Sequence, residues 1–218
     1  MLILILVYKI QRMGRQSGDA DKKMIAIGKE IARTQGCSAL RVRDIVDKAG
    51  VNLGMFHYYF KSREKFVQIL LKEVYGEFFS EMLTLIQHKE TSLEQLREVL
   101  ILVGLFLHKN RAIAISLVKD ILNDDKQVIK YGSKNPPPHI EMIKELLSKC
   151  KKEKSINNSD FFQVMPLFFG AIAHPILVNE IILKAKKHKS PFDLEDLMSR
   201  KNIDERVTIV LRGIGAKV

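Results

Sequence analysis

The stretch from Arg41 to Phe60 constrains the fold more than any other, because it sets two short helical patterns on either side of a single glycine. Val42, Ile45, Val46 and Ala49 recur at three- and four-residue steps and predict a short amphipathic helix ended by Gly50. Glycine accepts a positive φ at little cost, so the chain can reverse there within a few residues. Val51 is an apolar plug for the turn, and Asn52 is a favourable N-cap for a second short helix, Leu53 to Tyr59. Upstream, Met24, Ile25, Gly28, Ile31 and Ala32 repeat at helical spacing opposite Lys22, Lys23, Lys29, Glu30 and Arg33, with Gly36 as the stop. Three short helices, the last two in helix-turn-helix order, form a head.

The rest of the chain reads as helix too, and the fold class is all-α. Ser62 is an N-cap with Glu64 in the turn that follows, opening a long helix from Arg63 to about Gln87. Further helices are expected at about 92–108, 111–123, 138–152, 160–184, 193–199 and 203–213, separated by Asn123-Asp124-Asp125, Pro136-Pro137-Pro138 and Asn157-Asn158. No segment alternates as a strand would. The organisation expected is a flexible N-terminal extension (1–20), a helix-turn-helix head (21–66) and a larger helical body (67–218). Leu2 to Val7 is too short and too poorly flanked to be a membrane span or leader, and Met13 is an alternative start. Whether residues 1–12 belong to the native protein stays open.

Charge is distributed unevenly. Residues 1–72 hold 14 Lys and Arg against 6 Asp and Glu, while residues 73–218 hold 22 against 19. Most of the net +11 therefore sits with the head, where a polyanion would meet it, although a solvated basic surface would give the same count. The two cysteines, Cys37 and Cys150, form no CxxC pair and no zinc-ligand pattern, so a reducing, cytoplasmic setting and no metal or cofactor are expected.

Gly50 to Glu64 reads GVNLGMFHYYFKSRE. A helix entering a major groove wants small or polar residues at its start, phosphate donors on its flanks and little negative charge, and Leu53 to Phe60 has no acid. Over about residues 24–70 the sequence resembles the TetR family of transcriptional regulators, whose pattern is AGVS, a variable residue, G, a small residue, LY, aromatic pairs, F and a SKE-type helix start. The resemblance implies that Arg41 and Arg43 meet DNA at the start of the second helix. It implies that Asn52, Leu53, Met55 and His57 lie on the exposed reading surface, and that Tyr58, Lys61 and Arg63 grip phosphates. Phe56 and Phe60 match positions that pack the head together. Several positions depart from the pattern: Leu40 stands for the usual Thr, Ala32 and Cys37 for customary aromatics, Met55 for a small or hydroxylated residue, and His57 for Tyr. These departures predict an unusual base preference.

The implied partners are a double-stranded operator, a second copy of the chain and a small, largely apolar effector. Dimerisation is expected through 160–184 and 203–213, where Ile203, Val207, Val210, Leu211 and Ile214 form a stripe that an intramolecular core would also produce. Phe106, His108, Met142, Met165, Phe169 and His174 are candidate pocket residues as a set, although each taken singly reads better as core. Pro166 and Pro175 fall inside one helical stretch and would free carbonyls or kink it. His57 has no nucleophile or paired carboxylate beside it in sequence, so catalysis is not expected. Two rival readings stay open: a helical carrier or enzyme with a vestigial head, and a membrane-associated protein using Met1 to Tyr8 and the lysine clusters Lys149–Lys154 and Lys184–Lys189.

Overall fold

The structure, a computed structural model, describes residues 19–134, 137–184 and 193–217. The N-terminal arm, the apolar run before it and residues 185–189 of the second lysine cluster lie outside the described residues. No described residue is in a strand. The helices are α1 (Asp19–Gln35), α2 (Val42–Ala49), α3 (Leu53–Phe60), α4 (Arg63–Ile86), α5 (Ser92–Lys109), α6 (Arg111–Leu122), α7 (Lys126–Lys134), α8 (Pro138–Lys152), α9 (Phe161–Lys184), α10 (Leu194–Leu197) and α11 (Arg200–Gly213), with a 3-10 turn at Cys37–Ala39.

Helix α7 has no counterpart among the helices expected from the sequence, where Asn123-Asp124-Asp125 reads only as a break. The break is real, with Asp124 at φ 54, but it also starts a helix. The Asp125 carboxylate accepts the Val128 N–H at 3.1 Å, an N-cap bond of the ordinary kind. Nine residues with few apolar positions give too short a period for the helix to be seen in the sequence.

The chain divides into two compact units, one of residues 1–80 and 112–135, the other of 81–111 and 136–218. In the first, Met24, Ile31, Ala32, Leu40, Ile45, Phe56, Phe60, Phe66 and Leu70 are buried to 5% exposure or less. Phe66 of α4 lies 5.3 Å from Phe56 and 4.8 Å from Phe60, ring centre to ring centre, and so receives the inner edge of α3. Lys29 of α1 meets Glu73 and Glu77 of α4 at 3.0 and 2.6 Å.

In the second unit α5 packs against α8, α9 and α11. Its start is fixed by a capping box, in which the Thr91 hydroxyl accepts the Glu94 N–H while the Glu94 carboxylate accepts the Thr91 N–H. Leu96, Val99 and Leu100 then bury completely. Of the stripe expected on α11, Ile203, Val207, Leu211 and Ile214 are buried within the unit and Val210 is half-buried.

Helix α9 keeps both its prolines inside. Pro175 has no N–H, which leaves the carbonyl of Ala171, four residues earlier, without its helical donor. Arg206 of α11 supplies one, donating from Nε to Ala171 O at 2.9 Å and from Nη1 to Leu197 O at 2.9 Å. The carbonyl released by Pro175 is thus satisfied within the protein, and the same guanidinium joins α9, α10 and α11. Arg206→Met should lower stability by about 2 kcal/mol, since it leaves a carbonyl unpaired where burial denies it full hydration. A urea titration should show a lower midpoint at unchanged slope; a wild-type midpoint would show that solvent replaces the guanidinium.

Candidate nucleic-acid interface

Leu40, in the position where a hydroxyl cap was missing, is fully buried, and the N-cap of α2 is Arg41 with no side-chain cap bond. Packing of Leu40, rather than a capping hydroxyl, therefore sets the start of α2. At the other end Gly50 is left-handed at φ 68 and ψ 36, as the turn requires, and Val51 N–H returns to Val46 O. The Asn52 side chain accepts the Met55 N–H at 3.0 Å and opens α3.

Helix α3 is two-sided by spacing. Phe56 and Phe60, four apart, point into the core. Leu53 at 45% exposure, Tyr58 at 72%, His57 and Lys61 face solvent, and Met55 is half-buried. Lys61 closes the helix at φ 66, with its N–H on His57 O and its own carbonyl 3.2 Å from His57 Nδ1. Its ammonium stands 5.7 Å from the Tyr58 ring centre, a cation-π contact that draws these two residues together. Arg41 is exposed just before α2 and Arg43 is exposed on it, beside Asp44 and Asp47.

Arg63 has a role that the sequence does not reveal. Its Nε donates to Leu40 O and its Nη2 to Cys37 O, both at 2.8 Å. The guanidinium binds the start of α4 to the turn before α2, using two of its five donors. Ser62 accepts the Lys65 N–H at 3.2 Å, and amide and hydroxyl donors here hold the Glu64 carboxyl below its ordinary range.

The 3-10 turn is supported from behind by α6. Ser38 N–H donates to Ser116 Oγ at 3.2 Å, and Gly36, at φ 86, lies so close that an added Cβ would come within 2.9 Å of the Ala112 carbonyl and of Ser116 Cβ. Cys37 is buried in this corner. Burial first, and Asp120 second, push its thiol up to about 12, against an opposing pull from Arg63, so it is no nucleophile at neutral pH.

The six candidate pocket residues differ in burial. Met142 is buried in the core, Phe106 and Met165 are half-buried, Phe169 and His174 are exposed, and His108 Nε2 is 2.9 Å from Glu195. A cavity of about 450 Å³ in the second unit is lined by none of them. Among the described residues no group of three or more His, Cys, Asp or Glu is placed to hold a metal ion.

Exposed apolar side chains also lie on α9 and α11. Phe162, Leu167, Phe169, Ile181 and Leu183 of α9 and Ile209 of α11 are exposed, whereas all of the α11 stripe singled out in the sequence but the half-buried Val210 is consumed by the core. Helix α9 is long and apolar enough to cross a membrane by length and composition alone. Helices in protein cores pass the same test.

Residues 25–69, which hold most of α1, all of α2 and α3 and the start of α4, match the profile of a family described as bacterial regulatory proteins, tetR family. Its head is of the TetR family. Comparison with curated protein sequences finds no match. The fold is shared far beyond the TetR head. The fatty acid degradation regulator FadR of Bacillus halodurans superposes with a TM-score of 0.70 at 17% identity, over 93% of this chain and 100% of its own. FadR of Bacillus subtilis, solved with stearoyl-CoA, gives 0.65 at 21% identity over 88% and 98%. The ketosteroid regulator KstR2 of Mycobacterium tuberculosis gives 0.61 at 17% over 91% and 96%.

Gly36 and Gly50 should respond differently to alanine. Both have positive φ, but a Cβ at Gly50 meets nothing within 4 Å. Gly50→Ala should cost about 1 kcal/mol of backbone strain, and Gly36→Ala about 2 kcal/mol or more because contact with α6 adds to it. Equal urea midpoints for the two variants would contradict the close seating of the turn on α6.

Proposed function

We propose that this chain is a sequence-specific DNA-binding transcriptional regulator, a repressor released from a palindromic operator by a small, largely apolar effector. The observation that carries the proposal is the outer side of α3: Leu53, His57 and Tyr58 exposed, Lys61 at its end and no acid along it. In this reading the N-terminal end of α3 enters the major groove. Asn52, Leu53, Met55 and His57 face base edges, while Tyr58, Lys61, Arg41 and Arg43 reach phosphates on the flanks. Arg63 belongs chiefly to the frame of the head and keeps three donors for a phosphate. The functional division is the one read from the sequence, with 21–66 for DNA and 67–218 for effector and dimer, in a cytoplasmic protein.

Two heads are needed to read two half-sites one helical turn apart, so the chain acts as a homodimer. The exposed residues of α9 and α11 supply the contact, through 160–184 and 203–213. Covering them against a second copy removes from water an apolar surface that monomers seldom leave open. The same contact disfavours the membrane reading of α9.

An effector acts by preferring a body conformation in which the heads are wrongly spaced, and it weakens operator binding by its differential affinity for the two states. Helix α4, which begins beneath α3 and runs on past Ser80 into the second unit, is the proposed lever. Since FadR of Bacillus subtilis was solved with stearoyl-CoA, that thioester is the first probe to try.

Fluorescence anisotropy on DNA from upstream of the gene tests the reading head. With Arg41, Arg43 and Lys61 on phosphates in both subunits, six contacts give a log K against log salt slope of about −5, and Lys61→Ala lowers its magnitude by about 2. His57→Ala with Tyr58→Ala should reduce specific affinity by about 10- to 100-fold, leaving binding to unrelated DNA much less affected. Unchanged sequence preference in the double variant would sink the assignment.

Sedimentation equilibrium tests the dimer. Leu167→Glu with Phe169→Glu should yield folded monomers by burying charge in the interface. A wild-type dimer from this variant would place the contact elsewhere.

A further inference from the structure

The cavity in the second unit belongs to none of this. It is walled by His88, Lys89 and Glu90 of the turn before α5, by Glu94, Arg97, Glu98 and Ile101 on one side of α5, and by Arg200 and Asp204 at the start of α11. Its volume, about 450 Å³, is within the range of small-molecule sites. Its walls are mostly charged, unlike those of a site for an apolar effector.

The charges are already matched in pairs. Glu98, more than nine-tenths buried, meets Arg200 Nη2 at 2.5 Å and Lys89 Nζ at 3.8 Å. Arg97 meets Asp204 twice, Nε to Oδ1 at 2.7 Å and Nη2 to Oδ2 at 2.8 Å. These pairs border open space, so a ligand in the cavity can reach both members of each. The Arg200 side chain is about half exposed, so it can swing away from Glu98 at modest cost, whereas Glu98 cannot leave.

Pairing also decides what the cavity can accept. A simple anion drawn to Arg200 would compete with Glu98 and strand a buried carboxylate, which is strongly unfavourable. A simple cation drawn to Glu98 would only exchange one cation for another there, releasing Arg200 to solvent with little net gain. A ligand with both charges can enter between the members of a pair and replace each partner at once. We propose that this cavity binds a small zwitterion, an amino acid or short peptide, with its ammonium on Glu98 and its carboxylate on the guanidiniums of Arg200 and Arg97. The site is independent of the DNA-binding reading, and a ligand there would be a second, polar input to the same body.

Thermal shift and calorimetric titration of the full chain test this, using the twenty amino acids and glycylglycine as probes. Propylamine and propionate, singly and mixed at equal ionic strength, serve as one-charge controls. At least one zwitterion should raise Tm and bind saturably where the controls do not, and comparison of the amino acids with glycylglycine separates the two ligand sizes. Glu98→Gln with Arg200→Gln should weaken that binding at least about tenfold. Should the double variant fail to fold, Arg97→Gln, at a side chain 40% exposed, should show the same loss with an intact fold. The proposal is overturned if no zwitterion binds, if the one-charge controls bind as well, or if a folded variant binds like wild type. Any of these would leave a water-filled ion-pair network and would not touch the assignment of the head.

Discussion

The head depends on the seating of Phe66 against both Phe56 and Phe60. Two rings on one edge of an eight-residue helix bury against a ring at the start of the next, and this leaves α3 one stable rotation about its axis. That rotation is what turns Leu53, His57, Tyr58 and Lys61 outward together. A helix this short has little stability of its own, so its reading surface is fixed by the aromatic contacts on its opposite edge.

Two arginines play comparable parts, each donating to two backbone carbonyls from segments distant in the chain or on neighbouring elements. Arg63 takes the carbonyls of Cys37 and Leu40 at a 3-10 turn, and Arg206 takes the carbonyl that Pro175 leaves open and another at the end of α10. A guanidinium suits this role because its fork of donors reaches two separate acceptors from one rigid plane. Burial lowers the pKa of Arg206 without depriving it of its proton in any ordinary condition. In a short TetR-type sequence motif an arginine such as Arg63 looks like one more phosphate ligand, because the carbonyls it serves come from residues more than twenty positions away.

Much of the fold was legible. The all-α class, the glycine turn at Gly50 and the Asn52 cap follow from local spacing and the preferences of single residues, the placing of Phe56 and Phe60 in the core follows from the TetR resemblance, and the structure has each of them. Helix α7 was not legible, because its cap reads as part of a loop and its apolar period is too short to register. The candidate pocket residues stand out by chemical character, and character alone does not set burial: Met142 went to the core and Phe169 to the surface.

The boundary between sequence and tertiary structure is sharpest on α11. Its sequence alone determined a helix with an apolar stripe, because helical period is written in neighbouring residues. Only the packing decided that Ile203, Val207 and Leu211 serve the chain's own core while Ile209 and the outer residues of α9 stay exposed. The same holds at α5, where Glu94, Arg97, Glu98 and Ile101 are a single helical side in the sequence and become the wall of a charged cavity when α11 brings Arg200 and Asp204 opposite. Local sequence fixes which residues share a side of a helix; which side meets which partner is set by the competition among all apolar surfaces of the folded chain, and that is not encoded in any one segment.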